Sequence, residues 1–187
     1  MGCTASANST ITTENTQAND QKIIAKKPSI NKCKTNKDSL DLDYFINQML
    51  KLHNDERKKN NYEELKINGT LNLLASEYSD NLISNPKKVN YTNYMYNGLF
   101  LGENIVYSET KEPKKIFNTW LKTGNNYETN KNKFSKENAH YTQIIWKNTK
   151  EIGISMSYDK ETKKYCTVVL YNPPGNTLGS FPENTLS

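Results

Sequence analysis

The chain has 187 residues and a mass of 21.5 kDa, enough for one domain of ordinary size and an additional segment. Its mean hydropathy is −0.88, and no apolar run approaches the roughly 18 residues of a membrane-spanning helix. The net charge is +5, but Arg57 is the only arginine among 25 basic residues. Proteins that read nucleic acids rely on arginine for paired contacts to bases and phosphates, so this composition argues against nucleic-acid binding. The three cysteines, Cys3, Cys33 and Cys166, are too few and too scattered for a disulfide scaffold.

Residues 1–39 are rich in Ser, Thr, Asn and Lys and show no apolar periodicity, which predicts a disordered tail. The first six residues, MGCTAS, match the M-G-x-x-x-[ST] pattern of N-myristoylation with Gly2 as the acceptor, and Cys3 is a candidate for S-palmitoylation. One myristoyl chain gives only marginal membrane binding, so Cys3 or the tail lysines would have to supply a second anchor. Two alternatives stay open: the match is accidental, or Cys3 is the lipidated first residue of a trimmed bacterial lipoprotein.

The first predicted helix covers residues 41–58, where apolar side chains recur at intervals of three and four residues. Asp38 or Ser39 is its expected N-cap. His53 falls on the apolar stripe of this helix, so we expect its side chain to point towards the protein interior.

The remaining elements indicate a mixed domain. In chain order we predict a helix from Thr70 to about residue 85, a helix beginning at Pro113, a short strand at 140–146, and alternating strands at 152–158 and 165–171 joined by a loop at 159–164. Three helices followed by a strand and a hairpin predict an α+β domain, with helices on a mostly antiparallel sheet.

The candidate site residues begin with the two histidines of the chain, His53 and His140. Neutral imidazoles are favoured ligands of Zn²⁺, and two of them with a carboxylate would make a three-ligand site with one open position. Glu103 is the candidate carboxylate, because it lies between a glycine and an apolar run. It either binds the metal or accepts hydrogen bonds that tie the sheet to a helix, and the two interpretations carry equal weight.

Five segments, in this order, resemble motifs of the CAP superfamily, which comprises cysteine-rich secretory proteins, antigen 5 and pathogenesis-related proteins. The segments are HNDER at 53–57, LNLLA at 71–75, GENI at 102–105, HYTQIIWKNT at 140–149 and YNPPGN at 171–176. Each motif alone is weak, whereas five in the order of the family are a strong signal.

The resemblance implies a three-layer α/β/α sandwich with a cleft that holds two His and two Glu. His53, Glu103 and His140 fall on three of these places. Thr123 stands where the family has the second Glu, so zinc is expected to bind weakly if it binds at all. The implied domains are a tail at 1–39, a CAP domain at 40–178 and a short C-terminal tail at 179–187.

The scarcity of cysteine points away from the secreted branch of the family. The chain is more similar to the branch of the Golgi-associated plant pathogenesis-related protein, a disulfide-free domain that is myristoylated and attached to the cytosolic face of membranes. This resemblance implies a non-enzymatic module that associates with membranes and binds sterols or acidic phospholipids, with homodimerisation through the cleft as a further expectation. The alternatives are a metal-dependent hydrolase or protease using the cleft residues, and a secreted location.

The acylation hypothesis is tested by replacing the acceptor. Gly2→Ala removes the myristoylation site, so the protein is expected to move from the membrane fraction to the soluble fraction of the cell. Intact-mass measurement of the native protein shows whether Met1 is lost and whether one or two acyl chains are attached. A Gly2→Ala variant that stays on membranes to the same extent would contradict the anchor.

Overall fold

The computed structural model describes residues 36–85, 94–125, 127 and 135–185. Gly2 and Cys3 lie outside the described residues, so the predicted acylation stays a prediction. The helices are α1 (Asn36–Lys59), α2 (Gly69–Ser84), α3 (Pro113–Leu121), α4 (Ala139–Ile144) and α5 (Phe181–Thr185), with a 3-10 turn at Lys122–Gly124 after α3. The strands are β1 (Lys66–Ile67), β2 (Met95–Tyr96), β3 (Leu99–Phe100), β4 (Gly102–Ser108), β5 (Glu151–Asp159) and β6 (Lys164–Asn172).

Within the described part of the chain, four strands form the central sheet in the order β1-β5-β6-β4. The β5–β6 and β6–β4 pairs are antiparallel, and the short β1 pairs with β5 in parallel. Val169 on the central strand β6 aligns with Ile154 on one side and with Asn104 on the other. This register decides which side chains share a face of the sheet, because successive residues of a strand point to opposite faces.

Helices cover both faces of this sheet. On one face, Ile154 and Val169 pack in a core with Met49 of α1 and Phe117 of α3. On the other face, residues of α2 pack against the alternate positions of β6: Leu71, Ala75 and Leu82 meet Cys166, Val168 and Leu170. The predicted α+β class and its three-layer arrangement are therefore confirmed.

Gly153 allows α2 to lie directly on β5. A Cβ atom at this position would come within 2.1 Å of the backbone carbon of Leu71. The side chain of Asn72 in the same turn accepts a hydrogen bond from the backbone N–H of Ile154 at 2.7 Å. The start of α2 is thus fixed on the strand by contact with backbone rather than by side-chain packing alone.

The predicted strand at 140–146 is wrong, because residues 139–144 form helix α4. Its ends are satisfied by residues that are distant in sequence. Thr123 accepts the N–H of Tyr141 at 3.1 Å near the first turn. The guanidinium of Arg57 donates to the carbonyl of Ile144, the last residue of the helix, and to that of Trp146 beyond it. Strand propensity of a β-branched segment is a weak preference that such tertiary contacts override.

Three smaller predictions also differ from the structure. Helix α1 already begins at Asn36, so Asp38 and Ser39 lie inside the helix and do not cap it. Strand β4, which precedes α3, is missing from the predicted order. The segment 179–187 was expected to be a tail, but α5 packs on the domain, with Phe181 buried against Trp146 at a ring separation of 5.0 Å.

Arg57 is a fully buried cation that holds backbone carbonyls instead of a carboxylate. Burial lowers its pKa to about 10, so the guanidinium is still charged at neutral pH. It donates five hydrogen bonds of 2.7 to 3.3 Å to the carbonyl oxygens of Glu63, Ile144, Trp146, Lys147 and Thr149. The end of α1 is thereby joined to the whole connection between α4 and β5.

Arg57→Met tests this role, because methionine fills a similar space without any donor. The free energy of unfolding is expected to fall by about 3 kcal/mol or more, since several buried carbonyls lose a charged partner at once. Lys58→Met, at the neighbouring exposed position, is the matched control, with an expected change within about 0.5 kcal/mol. Urea unfolding of both variants is the measurement, and equal effects would contradict the assignment.

Candidate functional site

His53 lies in the interior of the domain, with none of its surface exposed. Its Nδ1 is 2.7 Å from the carbonyl oxygen of Met49, and its Nε2 is 2.9 Å from the hydroxyl of Tyr171. A carbonyl can only accept, so Nδ1 carries the proton and Nε2 accepts a hydrogen bond from Tyr171. Burial lowers the pKa of His53 to about 4, and the ring is therefore neutral at physiological pH.

A chain of hydrogen bonds leads from His53 to His140. The hydroxyl of Tyr171 accepts a hydrogen bond from the side-chain amide of Asn104 at 3.0 Å. The same amide nitrogen donates to the backbone oxygen of His140 at 3.0 Å, and the amide oxygen of Asn104 accepts from Nδ1 of His140 at 3.0 Å. We call His53, Tyr171, Asn104 and His140 the polar relay.

The hydrogen bonds of the relay determine which ring nitrogen of His140 carries the proton. Because Nδ1 donates to Asn104, the neutral ring leaves Nε2 as the nitrogen with a free lone pair. Burial lowers the pKa of His140, which favours this neutral form. His140 is half-buried beside Trp120, at a ring separation of 6.3 Å, whereas the other three members of the relay are buried.

Glu103 lies on the opposite face of the sheet from the relay. Leu101 and Ile105 lie two residues before and two residues after Glu103, and both side chains belong to the core on the α2 side. Residues two apart on a strand share a face, so Glu103 points to the same side. The carboxylate of Glu103 forms a hydrogen bond with Tyr78 of α2, and burial together with this carboxylate raises the pKa of Tyr78. Of the two interpretations of Glu103, the structure supports the one in which it ties the sheet to a helix.

Thr123 forms hydrogen bonds with α4 and with the end of α3. Its hydroxyl donates to the carbonyl of Trp120 at 2.7 Å and accepts the N–H of Tyr141 at 3.1 Å. The hydroxyl therefore has partners on both sides and belongs to the scaffold that positions His140. Thr123 is not a member of the polar relay.

The expected zinc site does not fit the residues that the structure brings together. Both ring nitrogens of His53 are engaged in hydrogen bonds, and Glu103 is across the sheet. Across the ranges that the structure describes, no group of three His, Cys, Asp or Glu side chains could hold a metal ion. Within the relay His140 retains one available ring nitrogen, and a single nitrogen ligand does not make a zinc site.

Two members of the relay, Asn104 and Tyr171, were not identified as site residues from the sequence. Asn104 is adjacent to Glu103, and a shift of one residue along a strand changes the face of the sheet. Aligning β4 with β6 would have found it, because Asn104 and Val169 are paired and Tyr171 is two residues further on the same face.

A second feature is an open groove of about 750 Å³ at the other end of the sheet. It lies between the first described turns of α1, the segment that leads into α3, and the ends of β5 and β6 that meet at their hairpin. Apolar and aromatic side chains form much of its wall: Leu42, Tyr44, Phe45, Met156, Tyr158 and Tyr165. Its volume is in the range of small-molecule sites, roughly 300–1,000 Å³.

The charges at the groove are mostly negative. Asp41, Asp80 and Glu112 contribute carboxylates, and Lys111 contributes one ammonium group. Asp41 and Lys111 form an ion pair of 2.7 Å that links α1 to the segment before α3. Glu112 is likewise paired with Lys115 at 2.7 Å. Three carboxylates and two ammonium groups leave an excess of one negative charge for an anionic group entering the groove.

The buried neutral His53 makes stability depend on pH. Its pKa is 6.5 when unperturbed and about 4 in the fold, so the unfolded chain binds more protons between these values. Stability is therefore fully present above about pH 6.5 and is lost as the pH falls towards 4, by about 3 kcal/mol in total for this group. His140 contributes with the same sign because its pKa is also lowered.

His53→Gln isolates this contribution, because glutamine retains hydrogen-bonding atoms but does not titrate. Urea unfolding at several pH values between 7 and 4 is expected to give a shallower loss of stability in the variant than in the wild type. The comparison concerns the slope with pH, so a constant destabilisation of the variant does not affect it. Parallel pH profiles would contradict a neutral buried His53.

No helix among the described residues is long and apolar enough to cross a membrane. The sequence profile of the cysteine-rich secretory protein (CAP) family matches residues 50–171. This range contains every member of the polar relay.

Individual relatives agree with the profile. The chain is 30% identical over 145 residues to human "Golgi-associated plant pathogenesis-related protein 1", which covers 76% of this chain and 92% of that protein. It is 27% identical over 149 residues to mouse "GLIPR1-like protein 1", which covers 74% of this chain but 63% of that protein. A more local match, 45% over 51 residues, links it to "Salivary antigen-5" of Dipetalogaster maximus and covers 20% of that protein.

Solved structures show the same fold. "Structure of Schistosoma mansoni venom allergen-like protein 4 (SmVAL4)" aligns with a TM-score of 0.52 at 22% identity, covering 73% of this chain and 90% of that one. "Crystal Structure of Na-ASP-1" aligns with a TM-score of 0.58 at 18% identity, covering 76% of this chain and 42% of that one. With the profile over residues 50–171 and the 30% identity to the human relative, the chain belongs to the CAP, or cysteine-rich secretory protein, family.

Proposed function

We propose that this CAP protein is a non-enzymatic module that associates with membranes and binds an uncharged amphiphile, such as a sterol, in the groove. The size and lining of the groove support this proposal. It combines a volume of about 750 Å³ with aromatic and aliphatic walls, and burying an apolar ligand there would release roughly 25 cal/mol for each Å² removed from water.

The walls of the groove suit a flat apolar ligand. Tyr158 and Tyr165 face each other across the β5–β6 pair, with ring centroids 4.7 Å apart. Tyr44 is 62% exposed and Tyr158 is 46% exposed, so both present ring surface that a ligand can cover. Aromatic rings provide large apolar contact and keep a hydroxyl for a polar head.

The charge of the groove favours an uncharged head group. Asp41 and Glu112 are paired with Lys111 and Lys115, so the carboxylate of Asp80 is the excess charge that would repel the head of an acidic phospholipid or a fatty acid. A sterol hydroxyl can instead hydrogen-bond to Asp41 or Asp80. Of the two lipid classes implied by the resemblance, sterols therefore fit the groove and acidic phospholipids fit the outer surface. Attraction of the Lys-rich segment 1–39 to an anionic bilayer is the role that we assign to acidic lipids.

The position of the N-terminal segment supports membrane association. It joins the domain at α1, and the first described turns of that helix line the groove. Acylation of Gly2, with Cys3 as a second acceptor, would hold the domain at the cytosolic face of a membrane. The name of the human relative, a Golgi-associated protein, is consistent with this location.

The hydrolase or protease alternative is not supported by the site. His53 is neutral, buried and engaged at both nitrogens, so it is not available as a base. His140 has an available nitrogen, but its described ring partner is an amide, not the carboxylate that orients a histidine base. Glu103 lies on the far face of the sheet and forms its bond with Tyr78.

The groove is tested with the double variant Tyr44→Ala/Tyr158→Ala in the full chain. Both side chains are exposed, so the fold is expected to be retained while affinity for a fluorescent sterol falls about tenfold through lost aromatic contact. Fluorescence titration with dehydroergosterol measures the affinity.

Tyr107→Ala is the matched control, because this tyrosine is 43% exposed and lies away from the groove on β4. Its sterol affinity is expected to equal that of the wild type. Equal affinities for the groove variant and the control, or the absence of sterol binding by the wild type, would contradict the proposed function.

A further inference from the structure

The hairpin of strands β2 and β3 exposes apolar side chains outside the central sheet. Met95 is 51% exposed, Leu99 is 49% exposed and Phe100 is 56% exposed. The strands pair only with each other in the described structure, with Met95 opposite Phe100 across the ladder. We call these three side chains the hairpin patch.

The patch is held by a defined scaffold. Asn97 and Gly98 both have positive φ, as the tight turn of a two-residue hairpin requires. On the inward side, Tyr94 packs edge-on against Tyr78 at 5.8 Å, and the hydroxyl of Tyr96 accepts a hydrogen bond from Asn68 at 3.1 Å. Met95 and Phe100 are cross-strand partners and share one face of the hairpin, whereas Leu99 is the partner of Tyr96 and lies on the other face beside the turn. The three exposed side chains therefore surround the tip of a hairpin whose base is anchored to α2.

The size of the patch argues against a stable protein interface. Three half-exposed large side chains present on the order of 300 Å² of apolar surface, since such side chains have roughly 150–250 Å² each. A stable protein–protein interface buries about 1,200–2,000 Å² in total. Contact with a bilayer does not require an area of this size, because a few aliphatic and aromatic side chains at a convex tip can enter the head-group region individually.

The charge of the surrounding sequence complements an anionic bilayer. Residues 86–102 read PKKVNYTNYMYNGLFLG and contain two lysines, Lys87 and Lys88, but no Asp or Glu. Glu77 of α2 is an exposed carboxylate that interacts with Tyr94 at the base of the hairpin, so the lysines outnumber the acidic group there by two to one. Each lysine near an anionic membrane surface adds about 1 kcal/mol of attraction.

We infer that the hairpin patch is a membrane-contacting surface that inserts Met95, Leu99 and Phe100 into the interface of an anionic bilayer. This inference rests on the proposed membrane association, for which it supplies a second contact besides the acyl anchor. Such a contact matters because a single acyl chain holds a protein on a membrane only marginally.

Insertion is tested with a tryptophan reporter in the full, unacylated chain. The two native tryptophans, Trp120 and Trp146, are 1% and 2% exposed and are shielded from lipid. Leu99→Trp is expected to shift its emission to the blue when vesicles of phosphatidylcholine and phosphatidylserine at about 7:3 are added. Leu178→Trp, at a 77% exposed position elsewhere, is the matched control and is expected to show no shift.

Binding strength is tested with Leu99→Ser/Phe100→Ser against Leu178→Ser. The hairpin variant is expected to sediment with the same vesicles about tenfold less, because the transfer of its apolar side chains into the interface is lost. An unshifted Leu99→Trp spectrum, or equal sedimentation of the hairpin variant and its control, would overturn the inference. The hairpin would then bind a protein partner or no partner.

Sterol affinity, measured with vesicle-free dehydroergosterol, separates this inference from the proposed function. The hairpin variants are expected to bind sterol as the wild type does, because the patch and the groove share no residue. Normal sterol binding with unchanged vesicle binding overturns only the hairpin inference. A shifted reporter without any sterol binding overturns only the sterol groove.

Discussion

The buried guanidinium of Arg57 is the interaction on which the end of the domain that holds the polar relay depends. It binds the end of α1 to five carbonyls, one of which belongs to the last residue of α4 and three to the segment between α4 and β5. A buried cation without a carboxylate partner is tolerated only where many oriented dipoles replace its hydration. Because α4 carries His140, the position of that histidine is set by a residue 83 positions earlier in the chain.

The polar relay extends the same constraint to the centre of the sheet. The carbonyl of Met49 fixes the proton on Nδ1 of His53, so Nε2 accepts a hydrogen bond from the hydroxyl of Tyr171. The same hydroxyl accepts a hydrogen bond from the side-chain amide of Asn104. The relay therefore selects one tautomer of His140 without any ionised group. Its chemistry is that of a rigid, neutral core, which fits a binding module better than a hydrolase.

The sequence predicts the layers of the fold better than the side chains of the site. Helical periodicity placed His53 inward and found α2 and α3, and alternation found β5 and β6. The segment at 140–146 could not be assigned correctly from local pattern, because Arg57 and Thr123 stabilise α4 across the chain. The sequence also could not show that Glu103 lies apart from the two histidines, since the face that Glu103 occupies depends on the register of β4 against β6.

The same register separates the groove from the hairpin patch, the two surfaces for which we propose contact with lipid. Gly102, next to the hairpin patch, pairs with Tyr171, whereas Ser108 pairs with Tyr165 of the groove. Six residues of strand separate these positions, which corresponds to about 20 Å. A domain resting on its hairpin would therefore hold the groove away from the bilayer surface.

This arrangement gives the N-terminal segment a specific role. It joins α1 on the groove side, so the proposed acyl chain on Gly2 would have to extend past the domain to reach a bilayer bound by the hairpin. The 35 residues that precede α1 are enough chain to cover the 20 Å between groove and hairpin, because a chain can reach at most about 3.3–3.6 Å for each residue. The acyl anchor and the hairpin can then bind one membrane together, and their combination exceeds either contact alone because the second binding step is intramolecular.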